Sequence, residues 1–279
     1  MKRALVAILS LALIMCLAIP ALAADDVVIY DFANSIDAED SFGFNTGLAG
    51  IGFATPTVTI ENEQMKMTFT GNSQTNAAIG GYLPASSREW VTALAEQAPD
   101  YKYIRLYLEN NTPGAFYITF TFSSTSTTVW GTPDMTKAVM INTAGETIEA
   151  TVSPDLNGYT NGYIQLPAGF KGWLFMETDA STFGPAPDGW GKTELTSWTE
   201  VSQFEWDMRQ VGDVTEGNNY MIWDDLALVN EAVAPAATDP GTDDKPATDD
   251  PNQGGDVSML LYAAAAVSGL GALAIRRKK

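Results

Sequence analysis

The residue types that carry acid–base and nucleophilic chemistry are sparse in this sequence. Its 279 residues include no histidine, and its one cysteine is Cys16. The commonest general bases, thiol nucleophiles and zinc ligands are therefore missing. Two carboxylates can hydrolyse a glycosidic bond without histidine, and the chain has 34 acidic residues. Because no spacing among them singles out a pair, we predict that the protein is not an enzyme.

The acidic residues set the charge of the central part of the chain. All 34 of them lie between positions 25 and 256, with nine basic residues, so the formal net charge of this segment is −25. Such a field repels nucleic acid, which we exclude as a partner. It is compatible with solubility at a surface and with calcium or neutral glycans as ligands.

The N-terminus has the layout of a secretory signal peptide. Lys2 and Arg3 precede an apolar stretch over 4–19, and Ala21 and Ala23 form a small-residue cleavage site. We predict a signal peptide over 1–23. Because Cys16 is removed with it, the exported chain has no disulfide and must be held together by its core, with or without a metal.

The C-terminus predicts an anchor. An apolar or small run over 257–275 is just long enough to span a bilayer, and the basic tail 276–279 places it with its end in the cytoplasm. The segment 232–256, rich in Pro, Asp, Thr and Ala, predicts a solvated spacer. The exposed domain, 24–231, would thus lie on the cell surface.

This tail resembles the Gram-positive sorting signal, which consists of a short motif, an apolar span and a basic tail. The stretch 250–254 (DPNQG) keeps the proline and glycine of the L-P-x-T-G pattern, but Gln253 stands where a sortase needs threonine. The resemblance implies a sortase as a candidate partner and attachment to the cell wall. A plain membrane anchor is the alternative.

Short β-like runs separated by Gly, Asn, Asp and Pro dominate the segment 24–231. Many strands with turn signals between them predict an all-β, antiparallel β-sandwich. One short helix is predicted over 87–97, with a capping box at Ser86 and Glu89 and an inward stripe of Trp90, Val91 and Leu94. The predicted strands cover 27–32, 57–60, 65–70, 103–109, 116–123, 138–141, 147–152, 163–166, 173–177, 204–208 and 220–229.

Alternation along three of these strands predicts a binding face. Successive side chains of a strand take opposite faces, so the strands at 103 and 116 each have an apolar side and an outward side with tyrosines. The short segment 110–114 (NNTPG) between them predicts a hairpin that puts these tyrosines on one surface. In the strand at 204, Phe204, Trp206 and Met208 point inward. The outward side chains of that strand are Gln203, Glu205, Asp207 and Arg209.

Tyrosines together with amides, a carboxylate and an arginine suit a sugar. Aromatic rings stack on the apolar faces of pyranoses, and planar polar groups bind hydroxyls. An ordinary solvated sheet face, in which tyrosine is favoured by β-propensity, is the alternative. Four other tryptophans are predicted to lie in the core: Trp90, Trp173, Trp206 and Trp223. The predicted ligand-binding residues are Tyr103, Arg105, Tyr107, Tyr117, Gln203 and Glu205, with the loop tryptophans Trp130 and Trp190.

The domain resembles the jelly-roll, galactose-binding-like carbohydrate-binding modules of bacterial polysaccharidases and clostridial-type cell surfaces. The resemblance rests on three motifs, at 29–32 (IYDF), 166–173 (LPAGFKGW) and 220–229 (YMIWDDLALV). It implies that the first and last strands lie side by side. It also implies a structural calcium ion, with Asp31, Asp224 and Asp225 at the matching positions.

The last strand adds an independent reason for a calcium ion there. Asp224 falls in one register with Ile222, Leu226 and Leu228, where an unpaired carboxylate is costly to bury. Calcium, with its oxygen ligands, would neutralise it; water or an arginine is the alternative.

Two functions remain for the exposed domain. The first is a non-catalytic surface protein that binds extracellular polysaccharide. The second is a surface adhesin or structural domain that binds another protein, which shares every topological feature with the first.

Overall fold

The computed structural model describes residues 26–32, 44–45, 56–70, 78–84, 89–124, 129–153, 156, 158–159, 162–186, 191–211 and 219–235. The predicted signal peptide, most of the spacer, the anchor and the basic tail lie outside these residues. The described residues belong to one compact unit that ends at Pro235. Within them, no helix has the length and apolar character needed to cross a membrane.

The described chain folds as two sheets of eight strands each. The strands are β1 Val27–Tyr30, β2 Phe44–Asn45, β3 Thr57–Glu61, β4 Gln64–Thr68, β5 Ala78–Pro84, β6 Tyr103–Asn111, β7 Phe116–Ser123, β8 Val129–Gly131, β9 Val139–Asn142, β10 Thr147–Ile148, β11 Val152–Ser153, β12 Tyr163–Leu166, β13 Lys171–Glu177, β14 Thr193–Glu194, β15 Gln203–Gln210 and β16 Tyr220–Val229. Sheet A has the order β10-β9-β13-β6-β16-β4-β3, with β1 also paired to β16. Sheet B has the order β11-β12-β7-β15-β5-β2, with β8 beside β7 and β14 beside β8.

Ten of the eleven predicted strands are present, and the first and last strands pair as expected. The strand predicted over 147–152 is wrong as one element, because the chain leaves sheet A after β10 and enters sheet B at β11. Described pairings other than β8–β14 are antiparallel. The all-β, antiparallel sandwich with one short helix is therefore confirmed. The longest strand that the sequence pattern missed is β5, which contains Gly80 and Gly81 and so lacks the apolar alternation that identifies a strand.

The helix, α1, spans Glu89–Gln97 and buries Val91 and Leu94 as predicted. Trp90 joins it to the core, because its ring stacks on Tyr30 at 5.5 Å and meets Phe204 edge-on at 5.4 Å. Ser86, the predicted cap, lies outside the described residues.

One apolar core lies between the two sheets. Apolar side chains alternate inward along the long strands, as Ile104, Leu106 and Leu108 do in β6. Trp206 of sheet B and Trp223 of sheet A meet there with ring centroids 5.1 Å apart. Both are predicted core tryptophans and both are buried.

The predicted hairpin of β6 and β7 is wrong. From β4 onward the chain crosses repeatedly between the sheets, so that β6 lies in sheet A and β7 in sheet B. The segment 110–114 makes this crossing. Asn110 is fully buried and its side-chain amide donates to the carbonyl oxygens of Gly114, Leu166 and Pro167 at 2.9–3.1 Å. A loop held in this way spans the end of the sandwich.

Two glycines of the motif 166–173 differ in the space around them and in their backbone conformation. Gly172 lies where β13 passes β9, and a Cβ atom built there would be 2.0 Å from the carbonyl oxygen of Ile141. Gly169 has φ +72°, which favours glycine, but a Cβ atom there would have open space.

We expect Gly172→Ala to lower the free energy of unfolding by about 3 kcal/mol or more, because β9 and β13 must move apart. Gly169→Ala is the control and should cost about 1 kcal/mol from its left-handed backbone alone. Urea denaturation of both variants checks this. Equal losses would mean that the close approach of the two strands is not what requires Gly172.

Candidate functional site

The predicted binding residues lie on two opposite faces of the sandwich. Tyr103, Arg105 and Tyr107 point outward from sheet A, because their neighbours along β6 fill the core. Tyr117, Gln203 and Glu205 point outward from sheet B. The single platform predicted for all of them is wrong, since the two tyrosine-bearing strands belong to different sheets. Trp190 lies outside the described residues.

The outer face of sheet B, called the sheet B face below, carries a dense set of polar and aromatic side chains. They come from β7, β12 and β15, which lie side by side. Most of these side chains are buried, unlike those of a plain solvated sheet. The set comprises Tyr117, Thr119, Thr121 and Ser123 from β7, Tyr163 and Gln165 from β12, and Gln203, Glu205, Asp207 and Arg209 from β15.

Three of these residues form a fixed charged cluster. Arg209 holds Asp207 in a forked contact, with Nε 2.9 Å and Nη2 2.6 Å from Oδ2. The Tyr163 hydroxyl donates to the same oxygen at 2.7 Å. Burial opposes the charge of Arg209, but the Asp207 carboxylate keeps the pKa of the guanidinium above its ordinary value. Burial, and then the charge of Asp207, raises the pKa of Tyr163, which therefore remains a hydrogen-bond donor.

Glu205 lies in the same row of β15 but has a different environment. Only 7% of it is exposed, and its Oε1 accepts from Ser123 Oγ at 3.0 Å and Gln203 Nε2 at 2.7 Å. These donors are neutral. Burial raises the pKa of Glu205 to about 7, opposed by the two donors and by the charge of Lys192. The side chain therefore changes its charge near neutral pH.

Aromatic rings border this row. Trp130, Tyr159 and Tyr163 form a cluster in which the rings are 5.6–6.5 Å apart, and Tyr117 packs against it. Lys192 Nζ lies 5.8 Å from the centre of the Trp130 ring. Trp130 belongs to strand β8 rather than to a loop, and only 5% of it is exposed.

This arrangement combines apolar ring surface with planar hydrogen-bonding groups in fixed positions. A ligand with alternating apolar faces and hydroxyl groups matches both. Within the described residues, the Thr119 hydroxyl is buried on the same face and has no hydrogen-bond partner. Buried polar groups that are fixed but incompletely satisfied are typical of a binding face.

Some residues of this face are not among the predicted ligand-binding residues. Asp207 and Arg209 lie outward beside Glu205, as the alternation of β15 predicts, but the sequence does not single them out as ligand-binding. Tyr163 could not be added, because nothing in the sequence shows that β12 lies next to β7. Tyr159 joins the face through its ring contact with Tyr163, and so depends on the same pairing.

At one end of the outer face of sheet A, ion pairs and apolar contacts stabilise the fold. Arg105 Nη1 contacts Asp26 Oδ2 at 2.6 Å, and Arg105 Nε lies 2.9 Å from Asp225 Oδ2. This contact ties β1 to β16. A small apolar cluster that includes Phe175 and Val229 lies beside it, with Ala232 and Ala234 packed against it.

The other end of this face is polar and partly exposed. The Tyr107 hydroxyl donates to Glu109 Oε1 at 2.6 Å, and Lys171 and Asn111 donate to Oε2 at 2.9 Å. Burial opposes the charge of Glu109, but these three hydrogen bonds keep its pKa below the ordinary value. Trp173, predicted as core, lies here instead, edge-on to Tyr107 at 5.4 Å.

The register of the last strand differs from the expected one, because β16 contains a β-bulge. The pairing of β16 with β6 shifts between Asp224 and Ala227, and Asp225 has φ +50°. Asp224 therefore lies outward and half-buried, while Leu226 and Leu228 face the core. The extra residue of the bulge reverses the alternation that would have put all three on one side.

The three predicted calcium ligands differ in the ion pairs and hydrogen bonds that they already make. Both oxygens of Asp225 face Arg105, and Asp224 accepts from Gln64 Nε2 at 2.9 Å. Asp31 follows β1 nearby, and its charge is felt by Asp224. Among the described residues, no group of three or more acidic, histidine or cysteine side chains could hold a metal ion. A calcium ion here would need backbone oxygens to complete its ligands, because Asp225 is already paired.

A scan of protein-family models and a search of curated proteins find no match. Several solved structures align with most of the chain. A family 11 carbohydrate-binding module from Clostridium thermocellum, in complex with a β-1,3-1,4-mixed-linked tetrasaccharide, is 10% identical, with a TM-score of 0.35; the alignment covers 74% of this chain and 95% of the module. A family 28 module specific for non-crystalline cellulose is 11% identical, with a TM-score of 0.39, covering 75% of this chain and 97% of the module.

An agarase also aligns, at 9% identity and a TM-score of 0.36, over 77% of this chain. The chain spans about a quarter of the agarase. The modules belong to the class that the sequence motifs resemble. At such identities and TM-scores, however, the sandwich rests on its own strand pairing, and the function rests on the sheet B face.

Mutation can test whether the ion pair of Arg105 with Asp225 stabilises the fold. We expect Arg105→Gln to lower the free energy of unfolding by about 2–3 kcal/mol, because it leaves Asp225 partly buried without its counter-ion. Lys171→Gln, which removes an ion pair of a half-exposed lysine, is the control and should cost less than about 1 kcal/mol. The midpoint of urea denaturation is the measurement. If Arg105→Gln were as stable as the wild type, Arg105 would not be what neutralises Asp225.

Proposed function

We propose that the protein is a non-catalytic cell-surface protein that binds extracellular polysaccharide through the sheet B face. One observation carries the proposal: aromatic rings border a row of fixed planar groups, Gln203, Glu205, Asp207 and Arg209, on one sheet. A sugar chain presents ring faces and hydroxyl pairs to such a surface. The surface location rests on the predicted signal peptide and anchor.

The sheet B face supports this proposal better than the outer face of sheet A. On the outer face of sheet A, Arg105 is already paired with two carboxylates and Glu109 with Lys171. On the sheet B face, the donors to Glu205 among the described residues, Ser123 and Gln203, are neutral. The carboxyl group is thus available for a ligand hydroxyl.

The test is affinity electrophoresis of the full chain, in a detergent without a sugar headgroup, through gels containing β-glucan, mannan, xylan or pectate. We expect retardation by at least one neutral polysaccharide. Tyr117→Ala should weaken it about tenfold, since a stacked ring contributes about 1–2 kcal/mol. Tyr117→Phe, which keeps the ring, should retain most of the binding.

Tyr107→Ala is the matched control, because it removes a partly exposed tyrosine from the opposite face and should leave retardation unchanged. Loss of binding in this variant alone would move the site to sheet A. No retardation by any polysaccharide, together with capture of a cell-surface protein unaffected by sugar, would favour the adhesin. Sugar release that Glu205→Gln or Asp207→Asn abolishes would contradict the non-catalytic part of the proposal.

Calcium is proposed as a structural ion beside Asp31 and Asp224. We expect calcium chloride to raise the melting temperature of the full chain relative to excess EDTA, because binding to the folded state alone is stabilising. Asp224→Asn should remove the difference, whereas Glu109→Gln, on the same sheet, should keep it. Identical melting curves with calcium and with EDTA would rule the ion out.

A further inference from the structure

Glu205 occupies a central position on the sheet B face. Its neighbours across the sheet are Thr121 on β7 and, by backbone register, Tyr82 on β5. Ser123 of β7 and Gln203 of its own strand donate to Oε1. The described side chains next to it, those of Thr121, Ser123 and Gln203, are all uncharged.

Three charged groups share the surroundings of Glu205. Asp207 and Arg209 follow it on the same side of β15, where they neutralise each other. Lys192 lies near enough for its charge to favour ionisation of Glu205. Among the described residues, no cation lies within ion-pair distance of its carboxylate.

This geometry makes the ionised form costly to the fold. A carboxylate that is 7% exposed loses most of its hydration, and neutral donors on one oxygen replace only part of it. Glutamine would fill the same space and accept the same two hydrogen bonds without a charge. A group that costs stability on a face built for recognition is typical of a functional residue.

We propose that ionisation of Glu205 controls the affinity of the sheet B face for polysaccharide, so that binding is tight when the carboxylate is charged and weak when it is protonated. The inference rests on the proposed function. A carboxylate oxygen accepts a hydrogen bond from a sugar hydroxyl about twice as strongly as a neutral acceptor does. Because the pKa of Glu205 is about 7, the change falls within the physiological range.

The test is titration calorimetry of the full chain, in a detergent without a sugar headgroup, with the polysaccharide that retards it, between pH 5.5 and 8.5. Affinity should fall about fivefold or more from pH 8 to pH 6, with proton release on binding near pH 7. Glu205→Gln should bind with an affinity that is weaker than that of the wild type at pH 8 and independent of pH. Glu109→Gln, a carboxyl change on sheet A, should keep the wild-type slope.

A second readout needs no ligand. The folded pKa of Glu205 lies above its unfolded value, so the protonated form favours folding; this stability is full at low pH and is lost as pH rises through about 7. The melting temperature of the wild type should therefore fall by several degrees more than that of Glu205→Gln between pH 5 and pH 8.

The outcomes separate the two proposals. Binding that is equally tight from pH 5.5 to 8.5, or a Glu205→Gln variant with the wild-type slope, would overturn the control by Glu205 and leave polysaccharide binding intact. A chain that binds no polysaccharide at any pH would overturn both. Parallel melting curves of the wild type and Glu205→Gln across this range would show that Glu205 does not titrate there.

Discussion

The sandwich depends on burying one aromatic-rich core between two sheets without a covalent cross-link. Residues 26–235 contain no cysteine, so packing rather than a disulfide must offset the entropy of ordering the chain. Trp206 and Trp223 meet at the centre, and Phe120 reaches both Trp223 and Phe204. Every long strand must supply alternating side chains to this core. The opposite side chains are then free to form two outer faces with different uses.

Crossing between the sheets decides which residues share a face. The alternation of β6 and β7 gives the inward and outward side of each strand correctly, because the apolar side chains of both enter one core. It cannot give the neighbour of a strand, since Asn110 directs the chain across the end of the sandwich instead of into a hairpin. The sequence alone could therefore predict which side chains β15 contributes to the sheet B face. It could not predict Tyr163, because the place of that residue depends on long-range strand pairing.

The bulge in β16 marks a second limit of the sequence pattern. Asp224 and Asp225 stand where β16 changes its neighbour from β4 to β1, and one inserted residue reverses the alternation beyond them. Aspartate tolerates the left-handed backbone there better than most residues do. A period-2 pattern read through the pair therefore assigns Ile222 and Leu226 to one side, although the sheet places them on opposite sides.

The two outer faces differ in how they compensate a buried charge. Arg105 is surrounded by two carboxylates, an arrangement in which each charge lowers the cost of the other and joins the first strand to the last. Glu205 has only neutral donors at hydrogen-bond distance, so its charge finds no full compensation within the described fold. Folding would be served as well by an amide at that position. The carboxyl group is thus better explained by a ligand than by the sandwich, and the sheet B face is where a hydroxyl-rich ligand would supply the missing hydrogen bonds.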